Sequence, residues 1–352
     1  MHRKTNEELQ VRFPTHSGMS PDILRRQWLQ HAAGVSAITL AGGLLASKAL
    51  AEPAFPSRPV RLVVPFAAGG ATDVLGRLLA KALEASLGQS VVVDNKVGAA
   101  GAIGAANVAK GDADGYSILM GGVGTNIVLE HTMPDLPYKP QRDFAAVASI
   151  CNVDYVLAVA KDSPYQTLND LLDDARKRPG RVRYMSTGPL GPMNVAMEYL
   201  SKLSGVQMIH APYKGEAPAL PDLMQQRVDV GTMTALFVRP QVQAGKLRVL
   251  ATIGPNRMVS WPDVPTVAEL GYPGYAAPIW NGLFVPKKTP LAVVEKLGQA
   301  TVTALRSSGL REQLEKQGVT VTGQAPAEYE RFLQDERQRW HKMIQESQVL
   351  NS

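Results

Sequence analysis

The amino-acid sequence predicts a protein of two α/β domains. Strand-like and helix-like segments alternate twice along the chain, with a shift in composition after the apolar run Val153–Ala160. Such alternation builds a sheet covered by helices. In the first run, three successive strands end in glycine-rich turns, at Gly69-Gly70, Gly98–Gly101 and Gly121–Gly124. In a parallel sheet those turns share one edge, where ligands bind. About 300 residues follow the N-terminal segment, enough for two cores.

Residues 1–51 differ from everything after them. Arg25-Arg26 precede Trp28-Leu29, Ala32–Ala46 carries no charge, and Ala49-Leu50-Ala51 fits a small-x-small cleavage site. We expect an export signal cut between Ala51 and Glu52. The uncharged run is mildly apolar and too short to span a bilayer. The paired arginines resemble a twin-arginine signal; Leu24 and Gln30 depart from that pattern, so Sec export stands as the alternative. Met19 is an alternative start. Residues 1–51 hold six of the 37 Lys/Arg and three of the 31 Asp/Glu, which leaves a net charge of +3 on the rest. That is too weak for nucleic-acid binding, and no basic run is interleaved with aromatics. Cys151 is the single cysteine, which excludes an internal disulfide and, so far from the cleavage site, a lipid anchor.

Val60, Leu62, Val63 and Val64 predict a strand that stops at Pro65-Phe66. Ala67–Gly70 follow, and Val74, Leu75, Leu78, Leu79, Ala82 and Leu83 repeat at helical spacing up to the C′ glycine Gly88. Glycines before a helix let a ligand approach free N–H groups at the positive end of the helix dipole, which favours an anion. For this turn alone, a tight connection without a ligand is the alternative. The turn lacks Gly-x-x-x-x-Gly-Lys-[Ser/Thr], and it lacks Gly-x-Gly-x-x-Gly, the corresponding positions being Ala67, Gly69 and Thr72. Asp94 mimics the acid that holds a dinucleotide ribose. Asp73, in the first helical turn, would repel a pyrophosphate, so a smaller anion such as a carboxylate is expected. Val91–Val93 form a second strand, and Gly98–Gly104 opens a second helix. Tyr116–Met120 is a third strand before the loop Gly121–Asn126, and an irregular stretch holds Leu136–Tyr138 and Asp143-Phe144.

After the strand Val153–Ala160, Thr167 and Asp170 have capping-box spacing for a helix that Pro179-Gly180 ends. Val182–Met185 is a strand, followed by the loop Ser186–Pro192 and a helix from about Met193 to Leu203. A strand Val206–Ile209, a helix near Pro218–Gln226 and strands Val228–Met233 and Leu247–Ile253 complete the second domain. Trp261–Tyr275 is rich in Pro and Gly. Beyond it we expect a strand Leu283–Val285, helices over Pro290–Arg306 and Leu310–Gln317, and a strand Val319–Val321. The last helix, Glu328–Ile344, is expected to pack Tyr329, Phe332, Leu333, Trp340 and Ile344 into the core.

Catalytic and metal-binding patterns are missing. Beyond residue 51 the histidines are His131, His210 and His341, none at metal-binding spacing. There is no Gly-x-Ser-x-Gly elbow, and Cys151 has no histidine near it in sequence. Asp173-Asp174 and the pair Asp112 and Asp114 read as solvated surface. An exported protein of this kind reads as a binding protein, not an enzyme, with no cofactor and no metal.

The stretch Val64-Pro65-Phe66-Ala67-Ala68-Gly69-Gly70-Ala71-Thr72-Asp73 resembles the first ligand loop of the Bug receptors, the periplasmic substrate-binding proteins of tripartite tricarboxylate transporters. The resemblance continues through Asp114-Gly115-Tyr116, Leu136-Pro137-Tyr138, Pro212–Gly215, Gly245–Arg248, Pro262–Thr266 and Trp280–Leu283. It implies a two-domain α/β periplasmic-binding-protein architecture of the type II flytrap kind, each domain a mostly parallel sheet flanked by helices. The implied boundaries are 52–155 plus 278–352 for domain 1 and 156–277 for domain 2, after the extension and signal at 1–51. A periplasmic monomer is expected, taking up a small carboxylate ligand between its domains.

The resemblance places ligand contacts at Phe66, Ala68, Gly69, Gly70, Thr72 and Asp73 in loop one and at Ala99, Ala100 and Gly101 in loop two, largely through backbone N–H groups and bridging waters. Thr125, Asn126, Ser186, Thr187 and Gly188 would read the rest of the ligand. The family's Arg/Lys-Pro-Gly-Ala-Gly-Gly stands here as Lys96-Val97-Gly98-Ala99-Ala100-Gly101. Asn194 stands where many relatives have histidine and Met233 where they often have aspartate, which implies a ligand with a less polar distal end. The implied function is delivery of the carboxylate to the membrane subunits of the transporter. A carboxylate sensor feeding a two-component sensor kinase, or an exported enzyme on the same scaffold, are the alternatives.

Overall fold

The run Val60–Val64 forms β1, and the first of two sheets grows around it. The computed structural model describes residues 55–258, 261–316 and 318–347, so the expected export segment and its cleavage site lie outside the described residues. β1 pairs in parallel with β2 (Val91–Asn95) and β3 (Ser117–Gly122). Helix α1 (Ala71–Leu87) ends at Gly88, whose left-handed φ of 66° fits the expected C′ position. Its stripe of Leu75, Leu79, Leu83 and Leu87 packs with Val60, Leu62, Val64, Ile118 and Met120. Burying four leucines there is worth about 8 kcal/mol relative to exposing them. Helix α2 (Ala102–Ala109) follows β2, and a π-helical turn (Gly124–Val128) leads from β3 into the short helices α3 (Leu129–Thr132) and α4 (Pro140–Asp143).

β4 (Phe144–Val153) belongs to the first sheet, and one residue later β5 (Tyr155–Ala160) belongs to the second. Helix α5 (Leu168–Lys177) starts with the expected capping box: Thr167 Oγ1 accepts from Asp170 N–H at 3.1 Å, and the Asp170 carboxylate accepts from Thr167 N–H at 2.8 Å. β6 (Arg183–Ser186), α6 (Pro192–Ser204), β7 (Ile209–Pro212), α7 (Glu216–Met224), β8 (Val230–Thr234), α8 (Ala235–Gln243) and β9 (Leu247–Thr252) follow. The chain then returns to the first sheet as β10 (Ile279–Pro286), passes through α9 (Leu291–Arg306) and α10 (Ser308–Lys316), and adds β11 (Val319–Val321) before the long helix α11 (Pro326–Glu346).

The strand orders are β11-β4-β10-β3-β1-β2 and β7-β6-β8-β5-β9. Both sheets are mixed where mostly parallel sheets were expected. Each has two parallel pairs, beside three antiparallel pairs in the first sheet and two in the second. The departure comes from the chain's passage between sheets: β4 carries it out and β10 brings it back alongside, so the two run in opposite directions. Sequence reasoning missed β4, whose Ala-rich FAAVASICNV has weak strand character, and α8, which contains Pro240. It also placed β7 three residues early and took the π-helical turn for a loop.

One apolar cluster reaches both sheets. It joins Val63 and Leu119 of the first to Leu157, Val159 and Tyr184 of the second through Val195 and Tyr199 of α6 and Trp340, Met343 and Ile344 of α11. Among the described residues, no helix is long and apolar enough to cross a membrane.

Candidate functional site

Loop one, Pro65–Gly70, is shaped by a carboxylate turned inward. Asp73 is 2% exposed. Its Oδ2 accepts from Gly69 N–H at 2.8 Å and Arg77 Nε at 2.9 Å, and its Oδ1 accepts from Asn95 Nδ2 at 2.9 Å. Asn95 Nδ2 also donates to Phe66 O at 3.0 Å. One helical turn places Arg77 over Asp73, and the parallel register places Asn95 beside Val64. Burial alone would raise the Asp73 pKa. The hydrogen bonds from Arg77, Gly69 N–H and Asn95, with the Arg77 charge, outweigh it and hold the carboxyl below the ordinary aspartate value. In this arrangement the Asp73 carboxylate is engaged within the loop, and Arg77 beside it offsets the charge it brings to the turn.

The glycines serve the loop's own geometry. Gly69 adopts φ 80°, a conformation glycine takes without strain, and so aims its N–H at Asp73. Gly70 is extended at φ −74°, and its N–H donates to Ala67 O at 3.2 Å. Both N–H groups are therefore used inside the loop. The open donors lie one step on, in the first turn of α1, where Ala71, Thr72 and Asp73 have no intrahelical acceptor. Phe66 is 38% exposed beside them, and Ala68 is exposed as well.

Loop two meets loop one at Gly101. A methyl group on Gly101 would lie 2.8 Å from Thr125 Cγ2, 3.4 Å from Pro65 Cβ and 3.5 Å from Phe66 Cζ. Three loops thus converge within van der Waals reach. Ala99 and Ala100 lie exposed in the left-handed region at φ 48° and 54°, which is strained for alanine. They turn the backbone so that Gly101 N–H bonds to Gly98 O at 2.9 Å.

Thr125 and Asn126 sit below the floor instead of facing open space, at 1% and 4% exposure. The π-helical turn rotates them inward. Thr125 Oγ1 accepts from Gly122 N–H at 3.1 Å and donates to Asn126 Oδ1 at 2.7 Å, while Tyr138 Oη donates to Thr125 O at 2.7 Å. In this arrangement both side chains support the floor from below.

Facing this floor is the loop after β6. Gly124 approaches Pro192, whose Cδ would lie 3.8 Å from an added methyl, and Thr132 Oγ1 donates to Leu190 O at 3.4 Å. Thr187 and Gly188 are half-buried at the rim; Ser186 is fully buried. Asn194 is held inside, its Nδ2 donating to Pro189 O at 2.8 Å and its Oδ1 accepting from Tyr184 Oη at 2.6 Å. Met233 has no exposed surface and packs with Val156, Met185, Ala219 and Val238. Both side chains are thus engaged inside the second sheet and its helices. Strand alternation explains Met233: it points to the face that α7 and α8 cover. Arg77, Asn95 and Tyr138 take part in these networks and were not singled out from sequence. The four-residue spacing of Asp73 and Arg77 was the one local signal available.

A separate groove of about 880 Å³ is lined by Arg58, Arg61, Lys96, Asn107, Lys110 and Asp114 among others. Three of its four cations are already paired, Arg58 with Asp114 at 2.7 Å, and Arg61 and Lys96 with Asp94 at 3.3 and 3.6 Å. It is less suited to a carboxylate than the loops above. Among the described residues no group of three or more metal-binding side chains occurs.

Two helix-flanked sheets with glycine-rich loops between them define the class, a two-domain flytrap solute-binding receptor. Within it, the chain belongs to the tripartite tricarboxylate transporter family receptors (TctC), which its residues 75–349 match. Protein BugT of Bordetella pertussis is 34% identical over 317 residues, covering 88% of this chain and 97% of the relative. An R. palustris protein solved with adipate superposes with a TM-score of 0.76 at 34% identity, covering 83% of this chain and 98% of its own. MatC from Rhodopseudomonas palustris, solved with bound malate, gives a TM-score of 0.73 at 31% identity, covering 82% and 100%. The family consists of periplasmic substrate-binding receptors, as the resemblance implied.

Proposed function

We propose that this receptor binds a small organic carboxylate between its two lobes and delivers it, unchanged, to the membrane subunits of a tripartite tricarboxylate transporter. The observation that carries the reading is the open first turn of α1. Its free N–H groups stand at the positive helix end, beside exposed Phe66, and Asp73 is neutralised and turned away. Loop two adds the exposed backbone of Ala99 and Ala100, and Thr187 and Gly188 close the far side. The lobes divide near Tyr155 and Pro278, as 52–155 plus 278–352 and 156–277, and the receptor works as an exported, periplasmic monomer that catalyses no reaction. That relatives were solved with adipate and with malate supports a dicarboxylate.

Calorimetry with adipate, malate and citrate, paired with small-angle scattering, tests this. We expect binding of at least one, a smaller radius of gyration on binding, and recovery of intact ligand. At a hundredfold the dissociation constant the ligand adds about 2.7 kcal/mol of stability. No heat and no thermal shift across a panel of mono-, di- and tricarboxylates would overturn the reading, and so would turnover of the ligand.

A further inference from the structure

The second lobe holds a carboxylate that the carboxylate reading does not use, that of Glu216 at the start of α7. Its Oε1 accepts from Thr234 N–H at 2.7 Å and its Oε2 from Thr234 Oγ1 at 2.8 Å. Thr234 is the last residue of β8, paired across the sheet with Tyr155, the first residue of β5. β6 lies between β7 and β8 and runs parallel to both. A side chain that starts beyond the end of β7 and bonds to the end of β8 therefore crosses the end of β6. That end is Ser186, where the loop on the far side of the site begins. The carboxyl ends of parallel strands are the edge at which an α/β sheet meets its ligand. Glu216 is held on that edge, half-buried.

The bonding pattern limits what this group can still do. Burial raises the Glu216 pKa, and the bonds from Thr234 oppose the rise. One donor on each oxygen suits an ionised carboxylate, which accepts hydrogen bonds, donates none, and keeps lone pairs free on both oxygens. The Thr234 hydroxyl gives its one hydrogen to Glu216, so it too can only accept from a ligand. No cation among the described residues pairs with Glu216. A ligand carboxylate set against this pair meets like charge, whereas a hydroxyl or an ammonium meets free acceptors. We infer that Glu216 is a specificity-determining residue of the site. It takes a hydroxyl or ammonium carried on the ligand's carbon chain, so the receptor prefers a dicarboxylate with such a donor to the unsubstituted parent. This role rests on the carboxylate reading proposed above, and it defines what the ligand carries between its carboxylates. Were Glu216 only a tie between α7 and β8, it would support every ligand equally, so preference is the readout that separates the two roles.

Calorimetry at about pH 7.5, where the carboxylates are ionised, compares two series of equal chain length. One is succinate, malate and aspartate; the other is adipate, 2-hydroxyadipate and 2-aminoadipate. In at least one series we expect the wild type to bind a substituted member about tenfold tighter than its parent, the scale of a hydrogen bond to a charged group. Glu216→Gln keeps the side-chain length and an acceptor for Thr234 but loses the charge. There the ratio should fall to about threefold or less, through weaker binding of the substituted member. Malate or 2-hydroxyadipate as the tightest ligand assigns a hydroxyl, and aspartate or 2-aminoadipate an ammonium; either supports the role. Parents bound as tightly as their substituted forms in both series overturn the inference and leave the carboxylate reading standing. A ratio that Glu216→Gln leaves unchanged does the same. No binding of any of these ligands defeats the dicarboxylate reading and this role with it. If Glu216→Gln does not fold, Glu216→Asp, which withdraws the carboxylate by one methylene, must lower the same ratio, and an unchanged ratio overturns the role.

Discussion

At Asp73 a carboxylate that the sequence presents to a ligand at a helix N-terminus is instead the keystone of the loop before it. Its partners are Gly69 four residues back, Arg77 four residues on and Asn95 on another strand. Asp73→Ala takes the acceptor from the Gly69 N–H and the Arg77 guanidinium and one of two acceptors from the Asn95 amide, and we expect a loss of about 2 kcal/mol together with weaker ligand binding. Asp73→Asn separates charge from shape. The folded-state pKa is depressed, so the carboxylate's contribution is present above about pH 4 and lost as pH falls through the folded value. Thermal melts of wild type and Asp73→Asn should therefore differ most near neutrality and converge in acid; a gap that persists at low pH would contradict the assignment. Exposed backbone at Ala68, Ala99 and Ala100 could be anticipated from local turn chemistry. The inward roles of Asp73, Ser186 and Asn194 could not, because each depends on an atom brought in by the sheet or by a facing helix.

Helix α2 and loop one show what close packing between elements demands. A methyl group on Gly104 would lie 2.8 Å from Lys96 O and 2.9 Å from Pro65 Cα. Those are backbone atoms, which cannot swing aside as a side-chain tip can. Gly104→Ala should push α2 away from Pro65, at a cost of about 2 kcal/mol, and lower carboxylate affinity through the displaced loop. Denaturant melts and calorimetry check both, and an unchanged midpoint would mean that the helix shifts freely. Helices with local punctuation were readable from sequence, α1 from its leucine stripe and Gly88, and α5 from Thr167 and Asp170. Elements whose identity depends on neighbours were not. β4 is a strand because β10 and β11 flank it, and the turn at Gly124–Val128 winds as a π-helix with Tyr138 bonded to its Thr125 carbonyl.

Across the whole molecule, the two sheets share one apolar cluster through α6 and α11. Within α11, Glu336 is 1% exposed and accepts from Trp280 Nε1 at 3.1 Å and Trp340 Nε1 at 3.3 Å, tying the last helix to β10. Tyr329, Leu333, Trp340, Met343 and Ile344 of this helix are buried as well. At about 2 kcal/mol each they supply roughly 10 kcal/mol, comparable to the net stability of a domain. We therefore expect the lobes to unfold together, in one calorimetric transition without ligand, and expect truncation after Ala325 to abolish that transition. Two resolved transitions in the intact protein would show the lobes to be independent. The two-lobed plan was evident from alternating segments, and the mixed pairing of the sheets was not, since only the path between lobes sets it.

The lone cysteine has a practical consequence. Cys151 is fully buried in β4, and burial, with Asp154 nearby, pushes its thiol pKa up to about 12. In the folded protein it offers thiol reagents neither access nor thiolate. A second cysteine placed at the rim, at Thr187 for instance, would be the single site a maleimide dye finds, with the native thiol left in place. The receptor is in that sense already prepared for conversion into a fluorescent reporter of its own ligand.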